Sequence, residues 1–177
     1  MFFCDTYQFP NQTSDIDFLK RANKLLQSVL EEEWAQRQDD LPLESPYEAL
    51  VLASIVEKET AEPSERPLIA GVFMSRLRKN MRLQTDPTVI YGMGDSYDGN
   101  IRRKDLRTDT PYNTYTRGGL PPTPIAMVGR EAIRAVMQPE ATSALYFVAR
   151  HDGSGTHQFS DNIEQHNAAV RKYQLKR

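Results

Sequence analysis

The sequence predicts an α+β fold that is mostly helical, with one small β-hairpin and one long irregular segment. Three observations support this fold class. Apolar residues in the first half recur with the spacing of amphipathic helices, and serine caps precede two of these stretches. Residues 80–124 are instead rich in Gly, Pro, Asn, Asp, Thr and Tyr. Near the C-terminus, two short β-forming segments flank the turn sequence Asp152-Gly-Ser-Gly155.

The first half of the chain predicts three helices. The first begins at Ser14, which can cap it together with Asp17. Its candidate buried positions follow the helical period: Ile16, Leu19, Leu25, Leu26, Val29, Leu30 and Trp34. The second begins at Ser45-Pro46-Tyr47-Glu48, where a serine cap and an early proline suit a helix start, and it runs to about Thr60. The third spans Glu65 to Lys79, with these apolar residues directed inward: Leu68, Ile69, Val72, Phe73 and Leu77.

The second half is less regular at first. Residues 80–124 show few segments with clean periodicity, and a long irregular region in a compact domain is more often functional than idle. After it, the sequence predicts a short helix near Arg130 to Met137 and strands at Leu145 to Ala149 and around His157 to Ser160. A final helix runs from about Asn162 to Gln174.

Length and composition indicate one folded domain. The chain has 177 residues, of which 39% are hydrophobic and 26% charged. A net charge of -2 gives no electrostatic reason to expect nucleic acid as a partner. The single cysteine, Cys4, excludes an internal disulfide. No apolar run approaches the roughly 20 residues of a membrane span. Met1 is followed at once by Phe2-Phe-Cys-Asp-Thr6, which is typical of the middle of a protein, so we expect a fragment whose targeting or anchoring segment lies upstream.

Glu59 is the main candidate for chemistry. At about 100° per residue, it lies inside the apolar face of the second helix, between the directions of Ile55 and Leu52. Glu57 lies at the edge of that face, and Lys58 points away from it. A carboxyl group among apolar side chains loses hydration, which raises its pKa toward the range that a general acid needs. For an isolated helical glutamate, however, a surface position or a buried hydrogen bond without chemistry is the commoner case.

Other candidates are weaker. Asp86 is the main second carboxylate, although Asp-Pro steps are common in turns. The cluster Tyr112-Asn-Thr-Tyr115, followed by Arg117-Gly-Gly-Leu-Pro-Pro122, suits sugar binding or a rigid surface loop. Three histidines, His151, His157 and His166, match no usual zinc spacing. No Gly-x-Ser-x-Gly elbow and no phosphate-binding glycine loop is present.

Several motifs occur in order along the chain. They are Leu52-Ala-Ser-Ile-Val-Glu-Lys-Glu-Thr60, Arg76-Leu77, Met81-Arg-Leu-Gln-Thr-Asp-Pro-Thr-Val-Ile-Tyr-Gly92, Tyr112-Asn-Thr-Tyr115, Gly119-Leu-Pro-Pro122, Phe159-Ser160 and His166-Asn167. In this order and spacing the chain resembles the YceG-like endolytic murein transglycosylases over nearly its whole length. Two departures, Cys4 in place of a proline and Ala126-Met-Val-Gly129 in place of an Asn-Pro-Gly turn, leave the Glu59 motif untouched.

The resemblance implies a lysozyme-like catalytic domain covering residues 1–177, with Glu59 as the catalytic residue at the second acidic position of Glu-x-Glu. The motif positions that it places around the cleft, as substrate-binding residues, are Gln84, Thr85, Asp86, Asn113 and Tyr115. We expect neither a metal nor a cofactor. Members of the family are longer, with an N-terminal membrane span and a small LysM-like subdomain. The resemblance therefore implies a fragment of a single-pass inner-membrane protein whose catalytic domain acts in the periplasm on glycan strands. Peptidoglycan synthases are partners expected from the family only.

The implied reaction is endolytic cleavage of the β-1,4 bond between N-acetylmuramic acid and N-acetylglucosamine, which leaves 1,6-anhydro ends and limits the length of nascent strands. Glu59 would act as both acid and base, because the muramic 6-hydroxyl is the nucleophile. Two alternatives stay open. One is a peptidoglycan hydrolase that uses Glu59 with Asp86. The other is a non-catalytic glycan-binding module of the cell envelope.

Overall fold

The structure is a computed structural model that describes residues 1–175. The last two residues of the predicted domain, 176 and 177, lie outside the described residues. Within the described range the elements are, in order, α1 (Asp15–Ala35), α2 (Pro46–Glu59), α3 (Arg66–Arg78), α4 (Asp86–Met93), α5 (Arg103–Arg107), α6 (Arg130–Met137), β1 (Tyr146–Ala149), β2 (His157–Ser160) and α7 (Ile163–Tyr173). The predicted α+β class, mostly helical with one small hairpin, is confirmed.

Helix α2 is the centre of the fold. All eight residues from Ala49 to Val56 are buried, because α1, α3, α4 and α6 pack around the helix. The predicted cap is present, since the Ser45 hydroxyl accepts a hydrogen bond from the Glu48 amide at 3.3 Å. The helix ends at Glu59, one residue before the predicted end. Because its neighbours fix α2 on several sides, they also fix the position of its last residue.

Helix α1 packs on α2 and α6 through its middle and C-terminal turns, where Leu26 and Val29 are buried. Its Ser14 cap is confirmed by a 3.1 Å hydrogen bond from the Asp17 amide. The prediction that Ile16 and Leu19 are buried is wrong, since they are 58% and 42% exposed. The reason is that the first turns of α1 are covered only on one side, where Tyr7 and Phe9 pack edge-on against Phe18.

The segment from residue 80 to 124 is less irregular than predicted, because it contains α4 and α5. The Asp86-Pro87 step begins α4 rather than forming a turn. Proline is well suited to the first helical turn, where its missing N–H has no helical partner to lose. The chain reaches this helix through Gln84, whose φ of 52° is left-handed. A non-glycine residue holds this conformation only where its surroundings impose it.

The C-terminal part is a hairpin covered by a helix. Strands β1 and β2 pair antiparallel, with Phe147 opposite Phe159 and Ala149 opposite His157. Helix α7 packs against both strands. Helix α6 and strand β2 have the predicted bounds, and β1 begins one residue later than predicted. Across residues 1–175, no helix combines the length and the apolar character that crossing a membrane requires.

Candidate active site

A cavity of about 470 Å³, here called the cleft, lies between the end of α2, the start of α4 and the hairpin with α7. A cavity of this size is in the range of small-ligand sites. Its lining residues come from distant parts of the chain: Glu59, Arg76, Leu83, Gln84, Thr85, Asp86, Tyr115, Tyr146, Phe147, Val148, Ala149, His157, Ile163, His166, Val170 and Gln174. The cleft thus gathers four of the five predicted substrate-binding residues around Glu59.

Glu59 is the last residue of α2, and its partly buried side chain lines the cleft. The Thr85 hydroxyl donates a short hydrogen bond to its carboxyl group. Burial raises the pKa of Glu59 to about 7. The Thr85 hydrogen bond opposes this rise in pKa, the negative charge of Asp86 adds to it, and Arg76 opposes it. The negative end of the α2 dipole also disfavours the charged form. Glu59 therefore exchanges its proton near neutral pH.

Glu57 has a different environment, although it is only two residues away. Its carboxylate accepts hydrogen bonds from the Gly129 amide and from Arg66, both at 3.1 Å. These contacts tie α2 to the start of α6 and to α3. Lys58 is exposed to solvent. Of these three charged residues, only Glu59 lines the cleft, as the helical period predicted.

Three threonines hold the segment that faces Glu59. The Thr85 amide donates to the Thr114 hydroxyl at 3.0 Å, and the Thr88 hydroxyl donates to the Thr85 carbonyl at 2.8 Å. The Thr88 and Thr114 hydroxyls are 2.9 Å apart. All three residues are buried. Because the backbone of Thr85 makes these contacts, its hydroxyl is left to bind Glu59.

The predicted site residues beside Thr85 open onto the cleft. Gln84 and Asp86 are exposed, while Tyr115 is half-buried. The Tyr115 hydroxyl donates to the Asp86 carboxylate at 2.6 Å. Burial, and then this hydrogen bond, raise the pKa of Tyr115. The phenol therefore stays protonated and holds the Asp86 carboxylate at the start of α4.

Asn113 does not line the cleft. Its buried side-chain amide donates to the carbonyls of Asp105, Leu106 and Thr108, and its oxygen accepts from the Tyr115 amide. The structure thus places Asn113 inside the loop that carries Tyr115. The following Gly119–Pro122 stretch lies elsewhere, beside Tyr47 near the start of α2. Of this tyrosine- and proline-rich region, only Tyr115 reaches the cleft.

Arg76 is a cleft residue that the sequence reasoning did not assign to the site. It is 6% exposed, and it donates to the carbonyls of Leu145, Arg82 and Leu83 at 2.6, 3.1 and 2.7 Å. Its guanidinium also lies 5.1 Å from the centre of the Tyr146 ring. Arg76 continues the inward stripe of α3, four residues after Val72, and a charged residue in such a stripe is a signal that could have identified it.

The histidines take three separate positions. His151 is exposed. His157 pairs with Glu65, and His166 stacks on Tyr146 with ring centroids 5.2 Å apart. Burial, followed by the charge of Arg76, lowers the pKa of His166. Within residues 1–175, no three His, Cys, Asp or Glu side chains come together as a metal site would require.

The fold and the cleft define an α+β domain built around one carboxyl group that titrates near neutrality. Comparison with known proteins gives the family. The model of the YceG-like family matches residues 1–172. The chain therefore belongs to the YceG-like family.

Named relatives and a solved structure agree with this assignment. An endolytic murein transglycosylase of Bacillus subtilis (strain 168) is 39% identical over 172 residues, which is 97% of this chain and 46% of the relative. One from Streptococcus pneumoniae (strain D39) is 35% identical over 130 residues, covering 71% of this chain and 23% of the relative. A crystal structure of a yceG-like protein from Listeria monocytogenes superimposes with a TM-score of 0.79 at 37% identity, covering 94% of this chain and 53% of that one. The chain thus spans less than half the length of these curated relatives.

Proposed function

We propose that this chain is the catalytic part of a lytic transglycosylase that cuts peptidoglycan glycan strands internally. The observation that carries the proposal is Glu59, a carboxyl group in a cleft, with a pKa of about 7 and a hydroxyl donor on its oxygen. The relatives whose names say endolytic murein transglycosylase supply the substrate class. Neither a cofactor nor a metal takes part in the proposed reaction.

In the first step, protonated Glu59 donates its proton to the oxygen of the β-1,4 bond between N-acetylmuramic acid and N-acetylglucosamine. That bond breaks, and positive charge develops at the muramic anomeric carbon. In the second step, the muramic 6-hydroxyl forms a bond to this carbon and gives its proton to Glu59. The products are a new N-acetylglucosamine end and a 1,6-anhydro end, and the enzyme returns to its starting state. An intramolecular hydroxyl has a high effective concentration, so no water is consumed.

Three of the predicted cleft residues are proposed substrate contacts: Gln84, Asp86 and Tyr115. Gln84 and Asp86 are exposed in the cleft, and the Tyr115 ring offers an apolar face and a hydroxyl to a sugar. For Thr85 the support points to a contact with Glu59 rather than with the sugar. For Asn113 the support points to an indirect role, since its amide binds three carbonyls of its own loop.

A hydrolase of the same strands is the second candidate, because Asp86 lies in the cleft and its charge raises the pKa of Glu59. In that reaction Asp86 would act as the second carboxylate. The Tyr115 hydrogen bond argues against it, since one oxygen of the Asp86 carboxylate is already occupied by the Tyr115 hydroxyl at 2.6 Å. The products separate the two candidates, because an anhydro end is lighter than a hydrolysed end by one water.

The test is digestion of purified uncrosslinked glycan strands, followed by mass analysis of their ends, for the wild type and for Glu59→Gln. We expect anhydro ends from the wild type and a rate at least about 1000-fold lower for the variant, because amide cannot donate or accept the proton. Glu57→Gln is the matched control, because it removes a nearby charge outside the cleft. Hydrolysed ends would select the hydrolase, and unchanged turnover by Glu59→Gln would refute the mechanism. If the wild type binds the strands without cutting them, the result would favour a non-catalytic glycan-binding module.

The substrate also suggests where the protein acts. We propose action outside the cytoplasm, on the cell wall, because the glycan strands are there. Anchoring in the inner membrane with the domain in the periplasm, and docking on a peptidoglycan synthase, stay predictions from the resemblance. Fractionation of cells that produce the full-length protein, probed with an antibody to this domain, tests the first of these.

A further inference from the structure

His157 lies in the cleft but has no part in the mechanism proposed above. It is the first residue of β2, and it lines the same cleft as Glu59. The ring packs edge-on against Phe147, with centroids 5.4 Å apart and planes at 89°. Its side chain is only 10% exposed. Buried polar atoms normally have hydrogen-bond partners, so each ring nitrogen of this nearly buried imidazole is expected to have one.

Glu65 is the hydrogen-bond partner of the first nitrogen, Nδ1. Its carboxylate oxygens lie 2.7 Å from Nδ1 of His157 and 2.8 Å from the backbone nitrogen of the same residue. Glu65 is 12% exposed and ends the short 3-10 turn Pro63–Glu65, between α2 and α3. Because a carboxylate only accepts hydrogen bonds, Nδ1 carries the proton. The two contacts also fix the orientation of the ring.

The second nitrogen, Nε2, is an acceptor whenever the imidazole is neutral. In a neutral imidazole with the proton on Nδ1, Nε2 carries the lone pair. Within residues 1–175 it has no hydrogen-bond partner, and it is not sealed from solvent. Since His157 lines the cleft and Glu65 fixes its ring, Nε2 is a candidate acceptor for a ligand bound there.

We propose that His157 is a substrate-binding residue, whose Nε2 accepts a hydrogen bond from the amide N–H of an N-acetylated sugar in the cleft, and that Glu65 is its positioning residue. The inference rests on the proposed function, since a glycan is the ligand. An N-acetylated sugar fits the chemistry, because its amide N–H only donates and therefore needs an acceptor at Nε2. Glu65 and Glu59 follow each other within seven residues, so the turn after α2 places the proton donor and this acceptor in one cleft.

The competing explanation is that Glu65 and His157 only tie the hairpin to the start of α3. Two variants separate this from substrate binding. His157→Asn retains an amide donor near the position of Nδ1 for Glu65 but has no group at the position of Nε2. Glu65→Gln keeps the size and both contacts, but its amide donates to Nδ1, so the proton moves to Nε2 and the acceptor becomes a donor.

Binding is measured rather than cleavage, so that the result does not depend on turnover. The dissociation constant for purified uncrosslinked glycan strands is determined by calorimetry in the Glu59→Gln background, with melting temperature as the readout of folding. Gln158→Ala is the matched control, because the neighbouring side chain on β2 points to the opposite face and borders a separate groove. The same substitutions are then made in the otherwise wild-type chain, and its cleavage kinetics show whether KM rises while kcat is retained.

We expect both His157→Asn and Glu65→Gln to weaken binding about three- to tenfold, the loss of one hydrogen bond, with melting temperatures close to that of the background. Gln158→Ala should bind like the background. Unchanged binding in both variants would overturn the inference and leave a structural tie. If His157→Asn fails to fold, Glu65→Gln decides alone. Failure of the Glu59→Gln background itself to bind strands would instead count against the proposed function, and the inference would fall with it.

Discussion

Removal of the Thr85 hydroxyl tests whether the environment of Glu59 sets its proton affinity. The Oγ1 atom of Thr85 has one partner in the described chain, the Glu59 carboxyl group, while its backbone makes the contacts to Thr88 and Thr114. Valine has nearly the same shape as threonine and retains those backbone contacts. Thr85→Val therefore removes one donor to the carboxylate and little else.

The expected effect follows from the sign of that contact. The hydrogen bond favours the charged form of Glu59, so its loss raises the pKa of Glu59 from about 7 to a higher value. A hydrogen bond to a charged group contributes about 1.5–3 kcal/mol. Solvent at the partly exposed carboxyl group reduces this contribution, and we expect about 1.4 kcal/mol. That free energy corresponds to a rise in pKa of about 1. Because the acid step needs protonated Glu59, kcat/KM falls as pH rises through this pKa, and in the variant that fall should lie about one pH unit higher.

The assay is the pH profile of kcat/KM on uncrosslinked strands, from about pH 5 to pH 10. Thr88→Val is the matched control, since its buried hydroxyl bonds Thr85 and Thr114 but not Glu59. It should lower the free energy of unfolding by about 1–3 kcal/mol without moving the midpoint of the profile. An unmoved midpoint in Thr85→Val, or one shifted to lower pH, would refute the account of Glu59.

Three further predictions concern stability. Glu59→Gln should have the same free energy of unfolding as the wild type at pH 4 but a higher one at pH 8. The reason is that the pKa of Glu59 is raised from 4.5 to about 7 by folding, so ionising this group costs the folded state up to about 3 kcal/mol. Urea unfolding at both pH values measures this difference, and equal stability at pH 8 would contradict it. Asn113→Ala should lose about 2–4 kcal/mol in the same assay, because three carbonyls lose their donor. An unchanged free energy of unfolding would contradict this structural role and would favour a substrate contact instead. Gly71→Ala should cost about 1–3 kcal/mol, since its new Cβ would overlap the Glu140 carbonyl, whereas Gly118→Ala, with open space around it, should be neutral.

Helices α1, α2, α3, α6 and α7, the hairpin and the position of Glu59 on the inner face of α2 were predictable because their signals are local. A serine cap acts within three residues, and the apolar period of α2 places Glu59 on the buried face without knowledge of what covers it. The exposure of Ile16 was not predictable, because periodicity shows which residues share a face but not how far the covering elements extend.

The walls of the cleft depend on contacts between distant residues, and these leave little local trace. Glu65 and His157 are 92 positions apart, and the Glu59–Thr85 contact joins residues 26 apart. Asn113 shows the reverse problem, since the same polar side chain suits a sugar or its own loop, and the sequence does not show that three nearby carbonyls bind its amide. Residue type therefore identified the region of the candidate site, while folding determined which side chains line the cleft.

The proposed reaction places two opposite demands on Glu59, and its surroundings match both. The carboxyl group must first release a proton and later accept one, so neither charge state can be strongly favoured. Burial and the nearby Asp86 favour the protonated form, while the Thr85 hydroxyl and Arg76 favour the anion. A pKa of about 7 is the result of this opposition, and a single group can then serve both steps without a second base. Asp86, already bonded to Tyr115, is left to act through its charge, which ties the acidity of Glu59 to the geometry of α4.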